Sequence, residues 1–121
     1  MIKYEFVHRA RFTAAAKARS VVELEAAIQG MERTTSALVQ FIVAEERRTK
    51  VVDRAHITYS MAAKDATDRL HRLRKTIAEL KTRRQAAIAE RDSAAAHLGI
   101  LEATLGDKPF PPQAGSLRRR T

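Results

Sequence analysis

The 121-residue chain is long enough for one domain, and only 5% of its residues are aromatic, with no Trp. Few side chains are therefore large enough to fill a globular core, whereas the abundant Ala, Glu, Lys, Arg and Leu favour long helices. The net charge of +9 indicates an acidic partner, and the absence of Cys excludes disulfides and thiolate chemistry. No apolar run approaches the roughly 20 residues that span a bilayer, and the N-terminus lacks the apolar core of a signal peptide, so we expect a soluble, cytoplasmic protein.

The first predicted element is a helix over residues of about 5–48. From Val7 to Glu45, one set of mostly apolar positions recurs at alternating spacings of three and four residues. An average spacing of 3.5 residues over this many turns is the heptad pattern of a coiled coil. The largest apolar residues of this seam are Leu24, Ile28, Leu38 and Ile42.

The rhythm breaks over residues of about 49–60, which we predict to be a hinge. The segment contains β-branched residues, which are weaker helix formers, but neither Gly nor Pro. Thr58 and Ser60 are the two candidate N-caps of the following helix.

A second helix is predicted over residues of about 61–105, because the same rhythm returns from Tyr59 to Leu105. Its main seam residues are Leu70, Leu73, Ile77 and Leu80. Gly106 and the prolines at positions 109, 111 and 112 then prevent the helix from continuing. We predict that residues 106–121 form a disordered, Pro-rich basic tail.

The two seams coincide when the chain is folded back about His56, which places Ile42 opposite Leu70 and Val7 opposite Leu105. The predicted fold is therefore all-α: over residues 1–105, two long helices form an antiparallel coiled-coil hairpin. Each helix would be about 60–65 Å long. We expect the best-packed section where large residues meet, at Leu38, Ile42, Leu70, Leu73 and Ile77.

Several polar residues occupy seam positions: Lys17, Thr35, Glu45, Arg84 and Arg91. One interpretation is that their long side chains reach solvent from a thin two-helix core, with Glu25 and Glu32 across from Arg84. The other is that they fix the register of the helices.

The residues that usually carry out catalysis or bind metals do not form a recognisable pattern. None of the four His residues has another three or four positions away, and the sequence contains no Gly-rich phosphate loop and no nucleophile elbow. We therefore expect no enzymatic activity, no metal, no cofactor and no small-molecule substrate.

Positive charge is concentrated in one part of the chain. Residues 47–84 contain 12 basic and 4 acidic residues, whereas residues 1–46 and 85–105 together contain 7 basic and 9 acidic residues. This imbalance predicts a docking surface for an acidic partner. The candidate residues are Arg69, Arg72, Lys75, Lys81 and Arg83.

Two alternatives use the same charge. In the first, the protein is a coiled-coil nucleic-acid-binding protein that contacts phosphates through its basic hinge half. In the second, the helix pair lies on a membrane surface, although large apolar residues are sparse for that role.

The hinge and second helix resemble the FliJ family, the small coiled-coil proteins of the flagellar (type III) export apparatus. The resemblance is carried by the stretch from Glu45 to Thr49, by the Asp53-x-x-His56-x-x-Tyr59 pattern, and by Leu73 with residues 77–81. It implies a cytoplasmic stalk-like rod, peripheral to the inner membrane when assembled. The implied partners are the export ATPase ring, the export gate protein and export chaperones, in a flagellar or an injectisome system, with membrane contact only through the gate.

Overall fold

A computed structural model describes residues 2–105, with side chains from Tyr4 onward, and contains two helices in contact with each other. Helix α1 is Ile2–Thr49 and helix α2 is Met61–Thr104. An all-helical fold built on two long helices is therefore confirmed for the described residues, none of which forms a strand. Helix α1 begins about three residues before its predicted start, and the predicted tail at 106–121 lies outside the described residues.

The chain divides into two compact units, and both helices contribute to each. One unit is the continuous segment Val22–Gln85, which contains the hinge; the other combines the chain up to Val21 with the chain from Ala86. Throughout the described residues, every predicted seam position is buried or half-buried. The heptad spacing thus corresponds to the apolar stripe of each helix.

The unit Val22–Gln85 contains the hydrophobic cluster nearest the hinge: Ile42, Tyr59, Ala63, Ala66 and Leu70, with Leu38 and Val51 packed against it. Ala63 is completely buried. Small side chains at Ala63 and Ala66 fit the narrow space between two closely approaching helices. The densest packing therefore lies closer to the hinge than the sequence predicts, and Leu73 is only half-buried.

Away from this cluster, the remaining large seam residues of the same unit divide into two groups. Ile28 and Ile77 are buried, whereas Leu24 and Leu80 are half-buried. A two-helix core is too thin to enclose every seam side chain, because each one has neighbours on only part of its surface.

The second unit has an even narrower core. On α1, Val7, Ala10 and Val21 are buried, but the facing α2 residues, such as Leu98 and Leu101, are only half-buried. An ion pair reinforces the contact: Arg11 Nη2 lies 3.0 Å from Glu102 Oε2. The Glu102 side chain is 12% exposed, so this pair is better shielded from water than an ordinary surface ion pair.

Candidate functional site

The hinge begins where Lys50 leaves the helical conformation with a positive φ of 61°. Its N–H still donates to the carbonyl of Glu46 at 2.7 Å, which closes the last turn of α1. A left-handed residue at this point is a common helix C-terminus, although Gly is the usual residue. Thr49 remains helical, with its Oγ1 donating back to the carbonyl of Glu45 at 3.0 Å.

The hinge ends at Ser60, which caps α2. Ser60 Oγ accepts a hydrogen bond from the backbone N–H of Ala63 at 3.1 Å, which satisfies one of the unpaired donors at the start of the helix. Of the two candidate caps, Ser60 therefore fills the role. Thr58 instead donates its backbone N–H to His56 Nδ1 at 3.1 Å.

Two glutamates of α1 tie the two ends of the hinge together. Glu45 accepts bonds from Arg48 Nη2 at 2.8 Å and from Ser60 Oγ at 2.9 Å, while Tyr59 OH donates to Glu46 Oε2 at 2.7 Å. The bond from Arg48, followed by that from Ser60, lowers the pKa of Glu45. The bond to Glu46, with a contribution from burial, raises the pKa of Tyr59.

The five predicted docking residues on α2 are all exposed, but they are not equivalent. Lys81 Nζ lies 3.3 Å from Glu32 Oε2, so its charge is partly neutralised by α1. The other four take part in none of the ion pairs found among the described residues. These four, Arg69, Arg72, Lys75 and Arg83, are called the basic arc below.

The basic arc occupies one side of α2. At about 100° per residue, its four positions fall within an arc of about 120° that starts beside the seam and extends to the outward face. Arg74 and Lys81 lie on the opposite flank of the seam by the same geometry. Between Arg69 and Arg84, the only acidic residue is Glu79. By the same geometry Glu79 lies within the arc, four residues from Lys75 and from Arg83, so it offsets part of the positive charge there.

Three basic residues of the seam lie close to acidic side chains. Lys17 Nζ donates to Glu90 Oε1 at 2.8 Å, and Arg91 Nε donates to Asp92 Oδ1 at 3.1 Å. Half-buried Arg84 lines the same open groove as Glu25 and Glu32, in agreement with the expected proximity of these charges. Lys17 therefore bonds to the other helix, whereas Arg91 bonds within its own.

The His and acidic side chains of the described residues do not converge on a metal-binding arrangement. All four His side chains are exposed, and no group of three or more His, Cys, Asp or Glu residues in this part of the chain is positioned to hold a metal ion. Neither described helix has an apolar stretch long enough to cross a bilayer.

Several exposed apolar side chains were missed by the sequence reasoning. Phe6 lines an open groove of about 480 Å³ with Ala10, Ala94 and Leu101, and Phe12 is also exposed. In the hinge, Ile57 is 96% exposed. The sequence does indicate their exposure, because these three large apolar residues lie outside the heptad seam.

Comparison of the chain with models of protein families, with curated proteins and with solved structures finds no match.

Proposed function

We propose that the two helices form an antiparallel coiled-coil hairpin. In the unit Val22–Gln85, the bond between Glu46 and Tyr59 lies beside the hinge, while Glu32 pairs with Lys81 much farther from it along both helices. Contact partners that move apart in sequence in this way are the pattern expected of an antiparallel pair. In the other unit, Lys17 pairs with Glu90 and Arg11 with Glu102, which follows the same order.

Zero-length carbodiimide cross-linking tests this arrangement in the unmodified protein. The reagent joins a carboxylate and an amine only when they are in contact, as Glu32 and Lys81 are. Mass spectrometry of the monomer band should identify the Glu32–Lys81 and Glu90–Lys17 cross-links. Cross-links confined to oligomer bands, with none of these within the monomer, would contradict the hairpin.

We further propose that the protein is a non-enzymatic docking component of a flagellar-type export apparatus, as its resemblance to the FliJ family suggests. The structural observation that supports a docking role is the basic arc, which leaves four exposed cations without acidic partners in the described part of the chain. An acidic partner surface would supply the missing complement. The export ATPase, the export gate protein and export chaperones are the proposed partners.

Charge reversal in the basic arc tests the docking role. Replacing Arg72, Lys75 and Arg83 by Glu should slow association with the ATPase or gate protein and reduce its dependence on salt, because exposed charges steer encounter and are screened over about 8–10 Å. The matched control reverses three exposed basic residues of α1, namely Arg9, Arg19 and Arg33. If both triple variants associate equally slowly, only the net charge of the protein matters, and a specific role for the basic arc is refuted.

The same variants separate docking to protein from binding to nucleic acid. A nucleic-acid-binding protein would lose DNA or RNA affinity in the arc variant, and the parent would show a steep linear fall of log K with log salt concentration. Circular dichroism provides the folding control, since exposed charges of this kind contribute little to stability.

A further inference from the structure

The hinge loop is held firmly at both ends. Val51 packs against the hydrophobic cluster, and Tyr59 is buried within it. Between these anchors, the N–H of His56 donates to the carbonyl of Asp53 at 2.9 Å, and the N–H of Tyr59 donates to the carbonyl of His56 at 3.0 Å. Two consecutive turns, over residues 53–56 and 56–59, therefore shape the loop.

Every residue from 52 to 58 is exposed, including two large apolar ones. Ile57 is 96% exposed and Val52 is 72% exposed, and Met61, the first residue of α2, is 67% exposed. Turn geometry does not require Ile at position 57, because Gly, Asn, Asp, Ser and Pro are the residues that favour turns. The fold therefore leaves three large apolar side chains exposed at the hinge end of unit Val22–Gln85.

Several cations lie near these side chains. Residues 47–64 contain five basic residues and one acidic residue, Asp53, and the acidic residues that border this range are Glu45, Glu46 and Asp65. Glu45 is paired with Arg48. The Asp53 carboxylate already accepts the N–H of Ala55 at 3.0 Å. Apolar residues flanked by several cations are the combination that binds the interface of an anionic bilayer, where the apolar groups enter the acyl boundary and the cations meet the lipid phosphates.

We propose that the hinge loop, through Val52, Ile57 and Met61, inserts into the interface of an anionic lipid bilayer. A bilayer interface accepts exposed apolar side chains without needing a complementary cavity. The flanking Lys50 and Lys64 then lie at the level of the anionic headgroups. This inference does not rest on the proposed export function, because it concerns the isolated protein and lipid.

Fluorescent labelling tests the insertion directly. Because the sequence contains no Cys, a single Cys introduced by Ile57→Cys carries an environment-sensitive fluorophore at a unique site. Its emission should shift to shorter wavelength with vesicles of phosphatidylcholine and phosphatidylglycerol, and remain unchanged with phosphatidylcholine alone. The control is Ile100→Cys, an exposed Ile of the other unit, which should show no shift.

Vesicle sedimentation with the full-length protein separates the apolar contribution to lipid binding from the electrostatic contribution. Ile57→Ser should reduce partitioning about tenfold, since part of the side chain leaves an apolar environment, whereas Ile100→Ser should not. Lys64→Gln should reduce it about fivefold. Lys75→Gln should have little effect, because position 75 lies about 16 Å farther along α2, beyond the Debye length of about 10 Å at 0.1 M salt.

Three results would overturn the proposal. They are the absence of binding to anionic vesicles, a probe at position 57 that stays in water while the protein is bound, and equal losses for Lys64→Gln and Lys75→Gln. The last two would assign lipid binding to the general positive charge of the chain. If the protein does not bind anionic vesicles, but an acidic protein protects the probe at position 57 from quenching, the loop is a protein-docking element instead.

Discussion

Replacing Lys50 by Gly should stabilise the protein, although Gly usually weakens helical proteins. Lys50 has a φ of 61°, a conformation that crowds the Cβ atom of any L-residue against the backbone. Glycine has no Cβ and adopts this conformation without strain. The N–H of Lys50, which bonds to the carbonyl of Glu46, is retained in the variant.

The expected gain follows from two opposing contributions. Relief of the left-handed conformation contributes about 1–2 kcal/mol. The greater freedom of Gly in the unfolded chain costs about 0.4–1 kcal/mol. The net stabilisation should therefore lie between about 0 and 1.6 kcal/mol. The midpoint of about 0.8 kcal/mol corresponds to roughly 2–5 °C in Tm for a chain of this size.

Thermal unfolding followed by circular dichroism at 222 nm measures this effect, with two control variants. Arg47→Gly removes the same charge three residues earlier, within α1, and should destabilise by about 0.5–1 kcal/mol. Lys50→Ala retains the strain and should leave Tm nearly unchanged. If Lys50→Gly destabilises the protein as much as Arg47→Gly does, then Lys50 is in ordinary helix and α1 does not end there.

Three further changes test the packing, the cap and the hinge charges. Leu70→Ala should lower the free energy of unfolding in urea by about 2–3 kcal/mol, since Leu70 is only 6% exposed. The control Ile100→Ala, at an exposed position, should lower it by less than about 0.5 kcal/mol. Equal losses in the two variants would contradict the observed core. Ser60→Ala should cost about 1 kcal/mol through loss of the N-cap, a result contradicted by an unchanged Tm. The folded state lowers the pKa of Glu45. Ionised Glu45 therefore stabilises the folded protein at pH values above the unfolded pKa of about 4.3, and this stabilisation is lost as the pH falls through the folded pKa. The Tm difference between wild type and Glu45→Gln should thus shrink on acidification; a difference that stays constant from neutral pH to pH of about 3 would refute this linkage.

The helical seams were predictable because burial between two helices imposes a single repeating constraint. Residues such as Ile28, Ile42, Leu70 and Ile77 recur with the heptad, and all four are buried. This pattern depends only on which side of a helix faces its neighbour, so it can be recognised in the sequence without knowledge of the detailed packing.

The hinge was predictable in position but not in mechanism. Without Gly or Pro, the sequence does not reveal that Lys50 adopts the left-handed conformation. That choice follows from tertiary contacts, because Val51 and Tyr59 must both reach the hydrophobic cluster. The bonds that join Glu45 to Ser60 and Glu46 to Tyr59 depend on the same approach of two segments.

The candidate surface was only partly predictable for a related reason. Composition identifies where cations are concentrated, but it does not identify which of them meet an acidic partner on the other helix. Within the described part of the chain, Lys81 meets Glu32, whereas no ion pair there includes Arg69, Arg72, Lys75 or Arg83. The exposure of Ile57 likewise depends on how the two turns of the loop orient it.

Direct binding of the unmodified protein to export proteins and to nucleic acid tests the central proposal, that the protein docks to an export apparatus. The immobilised protein is presented with the export ATPase and the export gate protein of the same organism, and with duplex and single-stranded DNA and RNA, over a series of salt concentrations. We predict binding to the ATPase or the gate protein that weakens as salt rises. Tight, salt-sensitive binding to nucleic acid, with no affinity for either protein, would contradict the account.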